Sequence, residues 1–231
     1  MALSSHRRGL WLALVLTLAA CEMPPADVLD GPRILAIRTE PTGFVPGEPV
    51  TVAALTWAIE GDVTWSACPV AWAPADPVRC PAGPALPLGT GNPLTFTPPP
   101  ETPGTGWWLL AEGGDAIPAG RRLDPEPDGE ATLVNPPDFD LITAPGAPEA
   151  PETLTLTPAF DAVAPPLDPA RIVISWYVTA GTLEPARTVG LDPATFTWPE
   201  DGTRPRVAVI AVARDLDGGT TWSSTVLEVT P

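Results

Sequence analysis

The sequence predicts an all-β fold composed of small β-sandwiches, and three observations support that class. Proline is unusually frequent, at 34 of 231 residues, and it interrupts helices because it lacks a backbone donor and clashes with the preceding turn. After the N-terminal segment, short apolar runs alternate with clusters of Pro, Gly and Asp, a pattern typical of sandwiches and barrels. Nine Trp and 44% hydrophobic residues argue against a chain that is disordered because of its proline content.

The first half of the chain contains five predicted strands and one weaker candidate. The five strands lie at 33–38, 50–57, 63–67, 94–96 and 106–111, and the weaker candidate lies at 131–134. The turn sequence Pro-Gly-Glu-Pro at 46–49 separates the first two. Short strands at this spacing predict one sandwich over residues 33–143.

The second half has the clearest strand periodicity. In 171–179, every second residue is apolar (Ile172, Ile174, Trp176 and Val178), so these side chains share one face. Residues 206–214 are apolar on both faces, which predicts a central strand. Further strands are predicted at 153–157, around 196–198 and at 221–229, with a turn at 216–219 before the last one.

A proline-rich segment at 144–151 marks the predicted boundary between two domains. Its sequence, Ala-Pro-Gly-Ala-Pro-Glu-Ala-Pro, is typical of a stiff, extended linker. The second domain then covers residues 152–231. The alternative is a long loop within one larger sandwich.

Several short sequences in the second domain are similar to immunoglobulin-like modules of the polycystin-repeat type. In that family a Trp on a middle strand packs into the core, and an Asp-x-x-Gly hairpin joins the last two strands; Trp176 and 215–218 match those positions. The sequence departs from the family after Trp176, where Tyr-Val-Thr-Ala-Gly replaces its usual Gly-Asp-Gly. Residues 34–41 and 46–50 likewise resemble the opening strands of bacterial immunoglobulin-like domains. The resemblance implies tandem immunoglobulin-like β-sandwiches, a fold that hosts many functions.

The N-terminal segment has the three parts of a secretory signal. Basic residues at 6–8 precede an apolar stretch at 10–20 that ends in small residues. The stretch is too short for a membrane-spanning helix, which needs about 20 residues. The sequence Leu18-Ala-Ala-Cys21 resembles the lipobox of bacterial lipoproteins, which implies cleavage after residue 20 and a diacylglycerol on Cys21. The alternative is an ordinary signal with a chance cysteine.

The lipobox resemblance places the chain in the bacterial cell envelope. Residues 21–32 would form a lipidated tether that holds the folded part near the membrane. Because Glu22 follows the cysteine and no inner-membrane retention signal is evident, we expect an outer-membrane lipoprotein.

Removal of residues 1–20 would leave a mature chain with little catalytic chemistry. The sole histidine, His6, would be lost, and the chain has no Lys. The mature chain would contain ten Arg and 28 Asp and Glu, which gives a net charge of −18. Such a charge opposes nucleic-acid binding. Nucleophilic triads, Lys chemistry and His-ligated zinc sites are excluded, so we expect no enzyme activity and no cofactor. A carboxylate-pair hydrolase survives as a remote alternative.

Cys68 and Cys80 are the two cysteines left after lipidation of Cys21. They lie 12 positions apart in a turn-rich segment, and thiols in an oxidising compartment pair readily. We therefore predict a disulfide between them, the alternatives being two free thiols or a catalytic dithiol.

Four residues are candidates for ligand contacts. Adjacent strand residues face opposite sides, so of Trp107 and Trp108 one is expected in the core and the other at a surface that could stack on a sugar or contact a protein. Asp215 and Asp217 resemble the start of a calcium loop, although Asp-Gly is also a common hairpin turn. The charged stretches at 121–122 and 124–130 are expected to form a solvated loop.

Together these observations predict a non-catalytic, lipid-anchored envelope protein with a structural, adhesive or accessory binding role. Its expected partners are the membrane, through the lipid, and an envelope protein or a glycan. The alternative from another class is a carbohydrate-binding module that uses an exposed Trp.

Overall fold

The computed structural model describes residues 27–70, 80, 85–99, 106–126, 134–144, 153–162, 168–199 and 206–228. Over these residues the chain forms fifteen β-strands and one three-residue 3₁₀ turn, Pro169–Arg171. All the strand pairs within the four sheets are antiparallel. The predicted all-β class is therefore confirmed.

The first seven strands form two sheets that face each other. They are β1 (Arg33–Glu40), β2 (Val50–Trp57), β3 (Thr64–Pro69), β4 (Leu86–Thr90), β5 (Leu94–Phe96), β6 (Trp107–Glu112) and β7 (Ala119–Leu123). One sheet has the order β1-β2-β5 and the other the order β4-β3-β6-β7. We call this unit the first sandwich.

The remaining eight strands form the second sandwich. They are β8 (Phe139–Ala144), β9 (Thr153–Phe160), β10 (Ile172–Val178), β11 (Thr182–Glu184), β12 (Arg187–Val189), β13 (Ala194–Thr197), β14 (Arg206–Asp215) and β15 (Thr220–Glu228). One sheet has the order β12-β10-β14-β15 and the other the order β11-β13-β9-β8.

Both sandwiches have the strand order of immunoglobulin-like domains. In the usual lettering, strands A, B and E form one sheet, and strands C′, C, F and G form the other. The second sandwich adds the short strand β11 beside its E strand, β13. The predicted immunoglobulin-like sandwich fold is thus present twice along the chain.

A fully buried Trp occupies the C strand of each sandwich. Trp65 on β3 is 0% exposed and Trp176 on β10 is 1% exposed. The indole nitrogen of Trp65 donates to the Gly91 carbonyl at 2.7 Å, and that of Trp176 donates to the Thr188 hydroxyl at 3.0 Å. Each large side chain therefore fills its core and has its polar atom satisfied.

Five strands were not predicted from the sequence, namely β4, β7, β8, β11 and β12. Most of them are short edge strands with partly exposed side chains, and β8 has a single buried residue, Phe139. The sequence placed 139–143 at the end of the first domain, but β8 pairs with β9 over its whole length. Ala144 ends β8, and the rest of the predicted linker lies outside the described residues. Of the weak candidate strand 131–134, the structure describes Val134, which is exposed and outside any strand.

Part of the predicted tether is attached to the second sandwich. Leu29 donates its backbone N–H to the Val178 carbonyl at 2.7 Å, and the Val178 N–H donates to the Asp27 carbonyl at 2.9 Å. Val28 thereby forms a parallel bridge with the end of β10. Residues 27–29 are therefore packed structure and not a free spacer, while residues 21–26 lie outside the described residues.

The predicted disulfide is present between Cys68 and Cys80, whose Cα atoms are 5.9 Å apart. Cys68 lies at the end of β3 and is 4% exposed. The bond joins the C strand of the first sandwich to Cys80, which lies 12 positions further along the chain.

Candidate functional site

A concavity lies between the two sandwiches in the described part of the chain. It is a groove of about 400 Å³ that combines residues of β1, of β7 and of the β14–β15 turn. Its lining residues are Leu35, Ala36, Ile37, Ala119, Gly120, Arg121, Arg122, Asp124, Arg214, Leu216, Asp217, Gly218 and Thr220. We call it the interdomain groove.

An apolar cluster beside the groove holds the two sandwiches together. Its buried members are Leu29, Leu35, Ala36, Ile210 and Val212, with Leu55, Trp57, Tyr177 and Trp222 partly buried against them. Residues from both sandwiches therefore share one desolvated contact, which favours a fixed arrangement.

Strand β14 explains why the second sandwich presents an apolar outer face. Val207, Val209, Ala211 and Ala213 point into its own core. Ile210 and Val212 point the other way, into the cluster shared with the first sandwich. The sequence predicted a central strand from this double apolar pattern, and β14 does lie between β10 and β15. Its second face is covered by the other sandwich.

Arg121 is the main polar element of the interface, and its place on β7 explains its burial. Successive strand residues point to opposite sides, and Leu123 on β7 is fully buried in the first core. Arg121, two positions earlier, points the same way, whereas Arg122 points outward and is exposed. The expectation that 121–122 form a solvated loop was wrong, because both residues lie on β7 and Arg121 is turned away from solvent.

The Arg121 guanidinium joins the two sandwiches through neutral acceptors. Its Nη1 donates to the Ile37 carbonyl of the first sandwich at 2.6 Å and to the Thr220 hydroxyl of the second at 2.9 Å. Its Nη2 donates to the Gly218 carbonyl in the β14–β15 turn. Burial lowers the pKa of Arg121 to about 10; the charge of Arg214 adds to this effect, and that of Asp215 partly offsets it. The side chain therefore still carries its charge at neutral pH.

Three side chains donate hydrogen bonds to alternate carbonyls of β1, which is an edge strand of its sheet. Arg214 Nη2 donates to Leu35 at 3.0 Å, Arg121 Nη1 donates to Ile37 and Asn135 Nδ2 donates to Thr39 at 2.8 Å. The carbonyls of alternate residues on a strand point the same way. Backbone N–H and C=O groups left unpaired at an edge strand can pair with a strand of another chain. The interface therefore also occupies the open side of β1.

Asn135 adds a second bridge between the sandwiches. While its Nδ2 reaches Thr39 of β1, its Oδ1 accepts from the backbone N–H of Thr220 at the start of β15. Gly219 allows this close approach, since a Cβ at that position would lie 2.7 Å from Cδ of Pro136 and 2.5 Å from Oδ2 of Asp215.

The predicted calcium candidates take part in turn and ion-pair contacts. Oδ1 of Asp215 accepts from the backbone N–H groups of Asp217 and Gly219 at 2.9 and 2.6 Å, which is the hydrogen bonding expected of an Asx-type turn. The Asp217 carboxylate accepts from Arg171 Nη2 at 2.7 and 2.8 Å. Among the described residues, no group of three or more potential metal-ligating side chains is present.

The two candidate tryptophans occupy opposite faces of β6. Trp107 is 7% exposed and belongs to the core of the first sandwich. Trp108 is half-buried on the outer face, where it lies across from Cys68 on β3 and from Arg122 on β7. Trp108 is therefore the member of the pair that a ligand could reach.

Cys21 and the apolar stretch at 10–20 lie outside the described residues. Within the part of the chain that the structure describes, no helix has the length and hydropathy needed to cross a bilayer.

Comparison with known proteins identifies no family. No protein-family model matches the chain, and no curated protein matches it. Among solved structures, it is similar to the N-terminal eight Ig domains of the Down syndrome cell adhesion molecule, isoform 1.30.30, with 17% identity and a TM-score of 0.26. That match covers 86% of this chain and 27% of the other, so the chain spans about a quarter of that protein's length. The immunoglobulin-like assignment rests on the strand order.

The sequence did not predict that Arg121, Asn135 and Arg214 meet at the contact between the two sandwiches. Arg121, Asn135 and Arg214 are far apart along the chain. One usable signal was present, because the outer apolar face of β14 at Ile210 and Val212 leads directly to Arg214 on the same side of the strand.

Proposed function

We propose that the protein is a non-catalytic, lipid-anchored component of the bacterial cell envelope, in which two immunoglobulin-like domains present a binding surface at a fixed geometry. The anchor would be Cys21, with removal of residues 1–20 and attachment to the outer membrane. The domains would correspond to the first and second sandwiches.

The observation that carries this proposal is the side-chain bridging of the two sandwiches. Arg121, Asn135 and Arg214 each contact both units or reach from one to the other, and an apolar cluster lies beside them. Tandem domains with a small interface are usually free to reorient. A chain that fixes their orientation suits a role in presenting or spacing a partner at a surface.

The sequence supports the non-catalytic part of the proposal. Without residues 1–20, the chain has neither His nor Lys. The two carboxylates that line the interdomain groove are held in ion pairs, Asp124 with Arg122 and Asp217 with Arg171. Carboxylates engaged in this way are poorly suited to the acid and base roles that a carboxylate-pair hydrolase requires.

Cys21→Ala tests the lipid anchor. When the chain is expressed in a bacterial host supplied with labelled palmitate, we expect the native chain to take up label and to fractionate with the outer membrane. The variant should lose the label and the membrane association. A Cys68→Ser/Cys80→Ser double variant is the control, because it removes the other thiols and should keep the label. Label retained by Cys21→Ala would overturn the anchor.

The binding role is tested by crosslinking and affinity capture from the envelope of the native host. We expect one envelope protein to be captured in stoichiometric amounts, and capture to fall when the two sandwiches are uncoupled by Asn135→Ala combined with Ile210→Ala, which truncates a buried member of the apolar cluster between them. Capture that is unaffected by uncoupling would contradict the role proposed for the fixed geometry.

A glycan is the second candidate partner, since Trp108 lies partly exposed on the outer face of β6. Half-exposed indole rings on β-sheets can stack against sugar rings. Binding to fragments of the host cell wall, measured by co-sedimentation, would fall at least tenfold in Trp108→Ala if this candidate holds. Leu86→Ala, an exposed apolar substitution on β4 of the same sheet, is the matched control.

A further inference from the structure

We propose that the interdomain groove is a binding site for a carboxylate group, which would be held by the guanidinium groups of Arg121 and Arg214. The inference specifies the chemistry of the binding role proposed above and rests on that role, although it does not depend on the lipid anchor.

The first argument is the distribution of ion pairs in a strongly acidic chain. With 28 Asp and Glu against 12 Arg, carboxylates are abundant, and most of the described arginines outside this site lie near one. Those within 4.0 Å of a carboxylate are Arg33, Arg38, Arg122, Arg171 and Arg206. Within the described residues, Arg121, Arg187 and Arg214 have no such partner. Arg187 is exposed on the edge strand β12, whereas Arg121 and Arg214 both line the groove.

The second argument concerns the acceptors that these two arginines do have. A guanidinium carries five N–H donors. In the described part of the chain, Arg121 uses three with Ile37, Thr220 and Gly218, all neutral. Arg214 uses two, with the Leu35 carbonyl at 3.0 Å and the Ser175 hydroxyl at 3.4 Å. Both side chains are thus fixed in place by neutral groups while keeping donors for an anion.

Two fixed guanidinium groups with like charge raise the electrostatic potential of the groove. Burial is the main cause of the lowered pKa of Arg121; the charge of Arg214 lowers it further, and Asp215 partly offsets both. A buried charge is costly unless it is paired, so an anion that enters the groove gains more here than at an exposed arginine.

The shape and charge of the lining favour a single carboxylate over a polyanion. Planar guanidinium groups match the geometry of a carboxylate, which can accept two hydrogen bonds side by side. The apolar part of the lining consists of Leu35, Ala36 and Ala119. It suits the carbon atom to which the ligand's carboxylate is attached. Asp124 and Asp217 also line the groove, and their charges would repel a ligand with several negative groups.

The carboxylate could belong to a free small organic acid or to the C-terminal end of a protein partner. Either source presents a carboxylate to the groove. A small acid would fit within the groove, whereas the chain of a protein partner would continue out of it.

The test is a titration of the full-length chain, purified in mild detergent and labelled with ¹⁵N-arginine, with sodium acetate at constant ionic strength. We expect saturable shifts of the Arg121 and Arg214 Nε–Hε signals, with the Arg206 signal unchanged. Because this readout uses the unmodified chain, it does not depend on any variant folding. Absence of a saturable shift at Arg121 and Arg214 would overturn the proposal.

Arg214→Gln should weaken acetate binding at least tenfold, because the side chain stays polar while its charge and its guanidinium donors are gone. Arg206→Gln is the matched control on the same strand, since Arg206 is exposed and paired with Glu228 at 2.8 Å. An equal loss in both variants would show a general charge effect and would count against the site.

Three further probes identify the class of ligand. Inorganic phosphate binding more tightly than acetate would overturn the carboxylate assignment. A protein source would be supported by two results together. Trialanine with a free C-terminus should bind more tightly than acetate, and C-terminally amidated trialanine should not bind. Acetate binding with no binding of either peptide would support a small acid. Failure of envelope capture with a normal acetate titration would count against the proposed function alone.

Discussion

The two sandwiches share one strand order but are reinforced in different ways. The first has a disulfide between Cys68 and Cys80, and the Asn92 side chain pairs with the backbone N–H and carbonyl of Ala54 at 2.8 and 2.7 Å. The second has no described disulfide, but its central strand β14 runs for ten residues and is paired along its length with β15. The first unit is thus reinforced by a covalent bond and side-chain hydrogen bonds, whereas the second is reinforced by longer strand pairing.

This difference concerns how the strands of each unit are held together. Short strands such as β5, with three residues, provide few backbone hydrogen bonds, so the first sandwich gains order from links that close its loops. Side chains at the interface, among them Arg214 of the second sandwich, also cover carbonyls of β1. The second sandwich, in turn, buries the outer face of β14 against the first.

The largest expected effect comes from removing the buried tryptophan of each core. Trp65→Ala and Trp176→Ala should each lower the free energy of unfolding by about 3–5 kcal/mol, because a large cavity replaces a fully buried ring. Guanidinium denaturation followed by circular dichroism measures this loss. If the sandwiches depend on each other, either variant should shift the whole transition; a shift confined to half of the signal would show that they unfold independently.

Loss of the disulfide should affect the first sandwich selectively. Cys68→Ser with Cys80→Ser should destabilise the fold by about 3 kcal/mol in the chain-entropy model for a loop of this length. Hydrogen exchange should then increase at β3 and β6, while β14 and β10 keep most of their protection. Equal loss of protection in both units would contradict the selective role.

Arg121→Met should reduce the coupling between the units by about 2 kcal/mol. The substitution keeps an apolar stem but removes the donors to Ile37, Thr220 and Gly218, and unsatisfied buried carbonyls are costly. We expect one calorimetric transition to broaden or separate into two. Arg122→Met is the control, since Arg122 is exposed and paired with Asp124, and such pairs contribute about 0–1 kcal/mol.

Asn135→Ala should have the smallest effect of the series, about 1 kcal/mol, because it removes one donor and one acceptor from the interface. The Thr220 N–H, which Asn135 accepts at 2.8 Å, should exchange faster with solvent, as measured by NMR. Unchanged exchange at Thr220 would show that this bridge is not formed in solution.

The sequence was most informative where burial follows a strict period. The alternation through β10 identified Trp176 as a core residue, and the double apolar pattern of β14 identified a central strand; both are confirmed. The disulfide followed from two cysteines and their spacing. These predictions succeeded because they depend on local geometry and on chemistry carried by few residues.

The interdomain groove could not be found in the same way. Arg121 stands beside Arg122 and an acidic run, which is the usual composition of a solvated loop, and its inward direction becomes evident only once Ala119–Leu123 is known to be a strand. Its acceptors come from residues more than 80 positions away. Such contacts depend on how two folded units pack, and strand periodicity carries no information about that.

The bridge between residues 27–29 and the end of β10 determines how the molecule would respond to mechanical force. A pull on the N-terminal end would reach Val178 through two hydrogen bonds before it reached β1, even though β1 comes first along the chain. Strand β10 lies inside a four-stranded sheet between β12 and β14, so the load would pass into the interior of the second sandwich. The edge strand β1 would then be protected from being peeled away.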